Sequence, residues 1–213
     1  MDTVTPPPEP AALADHFEAL FADDDDPWGY RTRWYERRKR AQLLASLPAE
    51  RYASGFEPAC ANGELSAELA ARCDRLLCSD GSAAAIAHAR RRLAPLPQVD
   101  LRHAPIPAQW PEGRFDLIVL SEIGYYLDDD AFHATIDRAV ASLADGGTLI
   151  ASHWRHPEGD YYRSGDDVHR HMAVAFEQQS GWTRLSRHEE DDFLVDVWSS
   201  DSRSVARREG LRP

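Results

Sequence analysis

The fold of this chain is decided by the stretch Tyr52-Ala53-Ser54-Gly55-Phe56-Glu57-Pro58-Ala59-Cys60-Ala61-Asn62-Gly63, in which a short strand pattern gives way to a turn of small residues. The segments that follow predict, in order, a helix at 64–72, a strand at 75–79, a helix at 83–93 and a strand at 99–103. Strands that alternate with helices through short turns are typical of a parallel sheet. The centre of the chain therefore predicts a βαβαβ arrangement.

The second half of the chain continues this sheet. Residues 115–120 are nearly all apolar, as in a central strand that is covered on both faces. Beyond them the patterns predict a helix at 130–143 that Gly146-Gly147 caps, a strand at 148–152, a helix at 166–179, and strands at 182–188 and 193–199. We expect the last two strands to form an antiparallel hairpin. The predicted fold is a doubly wound, Rossmann-like α/β fold with a seven-stranded, mostly parallel sheet.

The length of 213 residues fits one domain with extensions, because two cores would each be undersized. Residues 1–12 are rich in proline and small residues and predict a flexible tail. Helical patterns predict an N-terminal helical cap at residues 13–48, and the main domain is expected at 49–200. Residues 201–213 lack a periodic apolar face and are expected to fray.

Composition excludes several classes of protein. The 24 basic and 36 acidic residues give a net charge of −12, which opposes attraction to nucleic acid or anionic membranes. No apolar run reaches the roughly 18 residues of a membrane span, and the amino terminus has no secretion-signal pattern, so we expect a cytoplasmic protein. Cys60, Cys73 and Cys78 are odd in number and are expected to be free thiols. The oligomeric state is left open.

The turn after the first strand predicts a ligand site. Small residues at 59, 61 and 63 let a ligand approach the backbone, whereas Glu64 would repel a pyrophosphate where a dinucleotide site wants glycine. A nucleoside without phosphates fits better than NAD. Asp80 closes the second strand, where its carboxylate can accept both ribose hydroxyls; the alternative is a helix cap before 83–93.

At this point the chain resembles the class I S-adenosylmethionine-dependent methyltransferases. The resemblance rests on the turn 57–63, on Asp80, and on the strand entries at 115–120 and 143–149. Three further motifs look like the nodulation protein S family: Asp26-Pro27-Trp28-Gly29-Tyr30, Trp34-Tyr35-Glu36-Arg37-Arg38-Lys39 and His153-Trp154-Arg155-His156-Pro157. The resemblance implies S-adenosyl-L-methionine as the cofactor and an amine acceptor, such as that of a deacetylated chito-oligosaccharide.

The resemblance also implies which residues hold the cofactor. The predicted set is Glu57, Ala59, Ala61, Gly63, Asp80, Arg37 and Trp28. Glu57 would orient the turn and meet the methionine amine through water, or only cap the next helix. Arg37 would pair with the cofactor carboxylate, while its neighbours form a solvated helix face with Trp34 in the core. Trp28 would stack over the ligand or serve as a surface anchor. Alanines at 59 and 61 replace the usual glycines.

The acceptor pocket is expected at the ends of the fourth and fifth strands. Glu122 and His153 are the predicted catalytic residues, the former as a base or ligand for an amine and the latter as a base or substrate ligand. The alternative for Glu122 is a cap of the helix at 130. Tyr125, His156 and Tyr30 are the predicted substrate-binding residues.

Two further histidines lie on the predicted helix at 166–179. His169 and His171 stand two apart on a helix, point in different directions, and are expected at the surface. No metal site is predicted.

Together with these residues, the resemblance implies a small-molecule N-methyltransferase. An O-methyltransferase is the nearest alternative. A scaffold that keeps the fold without binding the cofactor is the alternative from another class, motivated by Ala59 and Ala61.

Overall fold

Seven strands form one sheet in the computed structural model, which describes residues 9–156, 161–177 and 181–213. The strands are β1 (Gly55–Pro58), β2 (Leu76–Asp80), β3 (Val99–His103), β4 (Phe115–Ser121), β5 (Leu143–Trp154), β6 (Thr183–Glu189) and β7 (Phe193–Ser199). The helices are α1 (Pro10–Asp23), α2 (Trp34–Ser46), α3 (Glu64–Leu69), α4 (Ala83–Leu93), α5 (Asp129–Ser142), α6 (Gly165–Glu177) and α7 (Val205–Arg208).

The strand order is β3-β2-β1-β4-β5-β7-β6. Strand β1 pairs in parallel with both β2 and β4, and β7 is antiparallel to β5 and to β6. The predicted doubly wound sheet with a closing hairpin is confirmed. The chain reverses its winding direction between β1 and β4. In open sheets of this kind, ligands bind in the crevice that the reversal leaves at the carboxyl ends of the strands.

Strand β4 shows why the sheet lies at the centre of the molecule. Leu117 and Val119 pack on one face, in the cluster that includes α4, while Ile118 and Leu120 pack on the other face against residues of α5 and α6. All four side chains are buried. Each contributes about 1.5–3 kcal/mol of apolar burial, so the continuous apolar run fixes the strand between two helical layers.

The glycine pair at 146 and 147 does not cap α5, contrary to the prediction. The helix ends at Ser142, and β5 begins directly at Leu143, which pairs with Phe115. Gly146 bends this strand with φ of +75°. A Cβ at Gly147 would lie 2.8 Å from the Ala144 carbonyl oxygen, so the bend needs a glycine there.

Both terminal segments contain helical residues that the sequence does not predict. Helix α1 begins at Pro10, within the predicted tail, while residues 1–8 lie outside the described residues. In the segment expected to fray, Val205–Arg208 forms a single helical turn, and the Arg208 guanidinium donates to the Asp201 carbonyl at 2.8 Å. The predicted domain boundaries stay a prediction. None of the described helices has the length and apolar character needed to cross a bilayer.

Candidate active site

A cavity of about 760 Å³ lies at the carboxyl ends of β1, β2, β4 and β5, beneath α1 and α2. It brings together eight of the predicted site residues: Glu57, Ala59, Ala61, Asp80, Trp28, Tyr30, Glu122 and Tyr125. Four other predicted residues, which the structure also describes, do not line it: Gly63, Arg37, His153 and His156. The cavity lies at the crevice that the winding of the sheet predicts.

The turn after β1 forms one wall of the cavity. Ala59 and Ala61 both adopt the left-handed conformation, with φ of +56° and +50°. The Asp80 carboxylate holds this turn, because one oxygen accepts the Ala61 N–H at 2.9 Å and the other accepts the Ser82 N–H at 2.9 Å. The half-buried carboxylate of Asp80 thus ties the turn to the end of β2.

Asp80 is not the cap of α4, which was the alternative role considered for it. The cap is Ser82, whose hydroxyl accepts the Ala85 N–H at 3.0 Å. Burial raises the pKa of Asp80, although hydrogen bonds from the backbone N–H groups of Ser82, Ala61 and Gly81 oppose the shift.

Glu57 is a buried acid of the same wall. Only 3% of its surface is exposed, and the Cys78 thiol donates to its carboxylate at 3.7 Å. Burial raises the pKa of Glu57 to about 7, and the nearby charge of Asp80 adds to the shift. A cationic group that bound beside Glu57 would favour its ionised form.

Gly63 has a packing role rather than the predicted contact with the cavity. It precedes α3 with φ of +82°, and a Cβ there would lie 3.2 Å from Leu93 and 3.3 Å from the Ala89 backbone. The glycine is therefore needed so that the start of α3 can approach α4 closely.

Replacing Ala61 with glycine is expected to stabilise the protein by up to about 1 kcal/mol. The left-handed conformation costs an alanine about 1–2 kcal/mol, and the greater freedom of glycine in the unfolded chain cancels about 0.5–1 kcal/mol of the gain. Urea unfolding measures the difference. Ala87→Gly, at an exposed position within α4, is the matched control and should destabilise by about 1 kcal/mol. Equal losses in both variants would contradict the strain.

Glu122 stands at the opposite wall, directly after β4, with φ of +55°. Its Oε2 accepts the Trp154 N–H at 3.1 Å and the Tyr125 hydroxyl, and its Oε1 lies 3.0 Å from Lys39 Nζ. Tyr125 in turn stacks on Tyr161 with ring centres 4.1 Å apart. The structure thus joins Glu122 and Tyr125 in one site.

Glu122 is also not a helix cap, which was its alternative role. The cap of α5 is Asp128, whose carboxylate accepts the Ala131 N–H at 2.8 Å.

Two residues of this wall were not predicted from the sequence. Glu36 and Lys39 line the cavity from α2 and are 8% and 6% exposed. Their signal lies in the motif Trp34 to Lys39, where they are three positions apart and so share a helix face. A charged helix face of this kind shows no apolar periodicity, so the sequence alone suggests that it is exposed to solvent.

The position of Arg37 corrects its predicted role at the cofactor carboxylate. Helix α2 turns Glu36, Lys39 and Arg40 inward, which leaves Arg37 outside, where it donates to the Thr32 carbonyl at 2.9 Å. Trp34 is 69% exposed rather than in the core. The arginines that do line the cavity are Arg33 and Arg40.

His153 is buried behind the cavity wall and does not form the predicted lip of the pocket. Its Nε2 accepts the Gly124 N–H at 3.0 Å, so the ring proton lies on Nδ1, which faces His169 Nε2 at 3.1 Å. His169 Nδ1 then donates to Asp196 Oδ2 at 2.7 Å. We call these four residues the histidine chain.

All three side chains of the histidine chain are 0% exposed, so the prediction that His169 lies at the surface is wrong. Burial lowers the pKa of His153 well below its ordinary value, and the nearby His169 and Lys39 add to the shift. The ring is therefore neutral and cut off from the cavity, which removes it as a catalytic base.

His156 also lies away from the predicted substrate site. Its exposed ring contacts Trp154 with centres 4.9 Å apart and meets Asp192 Oδ1 at 3.1 Å. Residues 157–160, which follow His156 directly, lie outside the described residues.

Aromatic side chains cover the remaining wall. The Trp28 ring lies 5.6 Å from Tyr30 and 5.6 Å from Phe21 of α1, and Phe17 of α1 contacts Tyr126 at 4.8 Å. Trp28 is thus packed into the cavity wall and is not an isolated surface residue. Such faces can attract a cation by about 0.5–2 kcal/mol.

Comparisons with known proteins agree with this geometry. A family model described as nodulation protein S (NodS) matches residues 15–158. Nodulation protein S of Rhizobium tropici is 35% identical over 128 residues, which are 59% of this chain and 54% of that protein. The chain thus spans about half the length of that curated relative.

Two solved structures extend the comparison. N-methyltransferase NodS from Bradyrhizobium japonicum WM9, in complex with S-adenosyl-L-homocysteine, is 27% identical with a TM-score of 0.77, over 87% of this chain and 97% of that chain. A protein from Pseudomonas syringae is 51% identical with a TM-score of 0.68, over 78% of this chain and 99% of that chain.

Proposed function

Because the chain belongs to the nodulation protein S family, we propose that it is a methyltransferase that transfers a methyl group from S-adenosyl-L-methionine to the amine of a small molecule. The observation that carries the proposal is the cavity at the sheet crevice, where the left-handed turn at Ala59 and Ala61 lies between two carboxylates, the buried Glu57 and the half-buried Asp80. A third carboxylate, Glu122, faces them from the end of β4.

The residues of the turn fit an adenosyl cofactor. Asp80 uses one lone pair of each oxygen for a backbone N–H and keeps others for ribose hydroxyls. The ionised form of Glu57 would be stabilised by a cation beside it, such as the ammonium group of the methionine part of the cofactor. Arg33 and Arg40 replace Arg37 as partners for the cofactor carboxylate, since both line the cavity. Glu64 lines the cavity as well, which disfavours a pyrophosphate and hence a dinucleotide.

Methyl transfer from S-adenosyl-L-methionine requires little acid–base catalysis from the protein. S-Adenosyl-L-methionine supplies an already activated methyl group, and the acceptor nitrogen attacks it in line. The protein must hold the acceptor nitrogen about 3 Å from that methyl and keep it free of its proton. Glu122 is placed to bind the acceptor ammonium and take the proton, while Tyr125 fixes the carboxylate.

The acceptor we propose is the amine of an amino sugar or of a compound resembling a deacetylated chito-oligosaccharide. The aromatic walls around Trp28, Tyr30 and Tyr125 support a ring-shaped acceptor, and the acidic cavity supports a cationic one. A small-molecule hydroxyl remains the alternative acceptor.

Calorimetric titration with S-adenosyl-L-methionine and S-adenosyl-L-homocysteine tests the cofactor. Binding with micromolar affinity is expected, and no heat at millimolar ligand would reject the methyltransferase in favour of a scaffold. A panel of amino sugars and matched sugars lacking the amine, assayed by S-adenosyl-L-homocysteine release, then tests the acceptor. Turnover of the hydroxyl compounds alone would reject N-methylation.

Replacing Asp80 with alanine is expected to weaken binding of S-adenosyl-L-homocysteine by about 10- to 150-fold, which corresponds to the loss of about 1.5–3 kcal/mol from hydrogen bonds to a charged group. Calorimetry measures the affinity and thermal unfolding the stability. Asp116→Ala is the matched control, because Asp116 also accepts two backbone N–H groups, from Ala53 and Ser54, but at the opposite end of the sheet. If both variants lose stability and neither loses affinity, Asp80 only holds the turn.

A further inference from the structure

Lys39 is the only lysine of the sequence, and it is buried against the cavity. Its Nζ lies 3.1 Å from Glu36 Oε2, 3.0 Å from Glu122 Oε1 and 5.2 Å from the centre of the Tyr35 ring. Removing an ammonium and two carboxylates from water costs several kcal/mol per ion unless they compensate one another. These contacts form a buried ionic cluster at the acceptor end of the cavity, which we call the Lys39 cluster (Glu36, Lys39 and Glu122).

We propose that Lys39 is a positioning residue for methyl transfer, whose ammonium keeps Glu122 ionised and directed toward the acceptor. The inference rests on the proposed function, because it assigns Glu122 the task of binding an acceptor ammonium and taking its proton. It gives a residue of α2 a role beside Glu122, which follows β4.

The cluster geometry explains why Glu122 needs this lysine. Since both carboxylate oxygens lie within 3.1 Å of one nitrogen, they are within about 6 Å of each other, where like charges disfavour double ionisation. Without Lys39, one of the two buried acids would take up a proton. Glu122 has two other hydrogen bonds, from Trp154 N–H and from the Tyr125 hydroxyl, but neither donor carries a charge.

The charge of the cluster also suits the reaction. Burial lowers the pKa of Lys39, but the charges of Glu122 and Glu36 outweigh that effect and raise it, so the lysine stays protonated. An ammonium has no lone pair and cannot compete with the acceptor for the methyl group. Two carboxylates and one ammonium leave a net charge of −1, which attracts a second, incoming ammonium.

Other titratable groups face the cluster from neighbouring elements. They are Tyr30 and Tyr35 beside it, Tyr125 and Tyr161 above Glu122, Asp192 at the cavity edge and His153 behind the wall. Burial raises the pKa values of Tyr30, Tyr35 and Tyr125, with the charge of Glu122 as the next cause. Burial lowers the pKa of His153. Beyond the cluster, the ionic side chains that line the cavity include Asp192 and Arg40, and the charge of Arg40 acts on Glu36.

The direct test is the titration of Glu122 by NMR in protein with ¹³C-labelled glutamate side chains, assigned with Glu122→Gln and Glu36→Gln. In Lys39→Met the Glu122 midpoint should rise by about 1–3 pH units, and in Lys39→Arg, which keeps the charge, it should stay close to wild type. A shift smaller than about half a unit in Lys39→Met would overturn the proposal, since an opposite charge at this range moves a carboxyl by more.

In Lys39→Met, Glu36 and Glu122 both lose their cationic partner, and the variant can fail to fold. The double variant Lys39→Met/Glu36→Gln contains one acid fewer. Its comparison with Glu36→Gln alone therefore gives the same test. The Glu122 midpoint should again rise when the lysine is lost. An unchanged midpoint in this pair overturns the proposal as well. Because this titration needs neither cofactor nor acceptor, its outcome stands even if the proposed methyl transfer is not found.

Activity provides the second arm. In Lys39→Met, the pH midpoint of the acid limb of kcat/KM for the best amine should rise together with the Glu122 midpoint. A rise of about one pH unit lowers kcat/KM about tenfold at pH values below the limb and leaves it unchanged above the limb. Within a Glu122→Gln background the same substitution should leave the limb where it is. A uniform loss at every pH, equal in both backgrounds, would show that Lys39 only supports the fold.

Discussion

Replacing Glu122 with glutamine is expected to lower turnover of an amine acceptor by about 10²–10⁴-fold while leaving S-adenosyl-L-homocysteine affinity unchanged. Glutamine keeps the shape of the side chain but carries no charge, so it neither holds an ammonium nor takes its proton. The residue lies at the end of β4 beside Lys39, across the cavity from the turn that we assign to the cofactor. Steady-state release of S-adenosyl-L-homocysteine measures turnover, and calorimetry measures affinity.

Asp192→Asn is the matched control for this substitution. Asp192 also lines the cavity, but its carboxylate is 48% exposed and pairs with the exposed His156. An exposed ion pair contributes at most about 1 kcal/mol, so turnover should change less than about fivefold. If Glu122→Gln also stays within that range, the acceptor amine is deprotonated by solvent and Glu122 only shapes the pocket.

The cavity wall that holds Glu57, Ala59, Ala61 and Asp80 could be predicted from the sequence, because these residues stand at the ends of two strands. The turn from Glu57 to Gly63 and the acid at Asp80 each follow a strand that the apolar pattern marks, and a parallel sheet brings such ends together. Six of the seven strand positions likewise follow from period and turn residues. The start of β5 could not be predicted in this way. Its first residue, Leu143, already pairs with Phe115, although it stands before the two glycines that mark a turn in the sequence.

The acceptor half could be predicted only in part. Glu122 and Tyr125 follow β4 directly, but Lys39 and Glu36 reach the same point from a helix more than 80 positions earlier, and only the tertiary fold sets which helix face turns inward. His153 sits at the strand end where it was expected, yet its side chain points to α6 rather than to the cavity. Successive side chains of a strand point to opposite faces of the sheet, so the face that His153 occupies depends on the register of β5. The strand begins five residues earlier than the sequence predicts.

Replacing His169 with alanine is expected to destabilise the fold by about 3–5 kcal/mol, the largest stability effect that we predict, because it leaves a cavity and unpaired buried polar groups. The side chain is 0% exposed and carries the hydrogen bonds between His153 and Asp196. Its loss leaves the His153 Nδ1–H without an acceptor and the buried Asp196 carboxylate with only its arginine contacts, to Arg187 at 3.2 Å and Arg184 at 3.8 Å among the described residues. Urea unfolding at pH 7.5 measures the change.

His171→Ala is the matched control, because it removes the same side chain two positions along α6. His171 is half-buried and bonds only locally in the described contacts, to the Asp167 carbonyl at 2.7 Å, so we expect a loss of about 1 kcal/mol. Similar losses for the two variants would show that the histidine chain adds nothing beyond ordinary helix packing.

The histidine chain should also leave a signature in the pH dependence of stability. The folded protein holds the pKa of His153 far below the unfolded value of about 6.5, so below that pH the unfolded chain binds a proton that the folded state refuses. Stability from this group is present above about pH 6.5 and is lost as the pH falls, by up to about 1.4 kcal/mol per pH unit.

Glu57 works in the opposite direction, which decides how this signature must be measured. Its folded pKa of about 7 lies above the unfolded value of 4.5, so its contribution is complete below pH 4.5 and is lost as the pH rises toward 7. The pKa values of Asp80 and Glu36 are also raised by burial, so the wild-type slope between pH 5 and 7 combines opposing terms. His153→Gln removes only the histidine term, and glutamine can still accept the Gly124 N–H. Relative to wild type, the variant should gain stability on acidification from pH 7 to 5, and a parallel pair of curves would mean that His153 titrates normally in the folded protein.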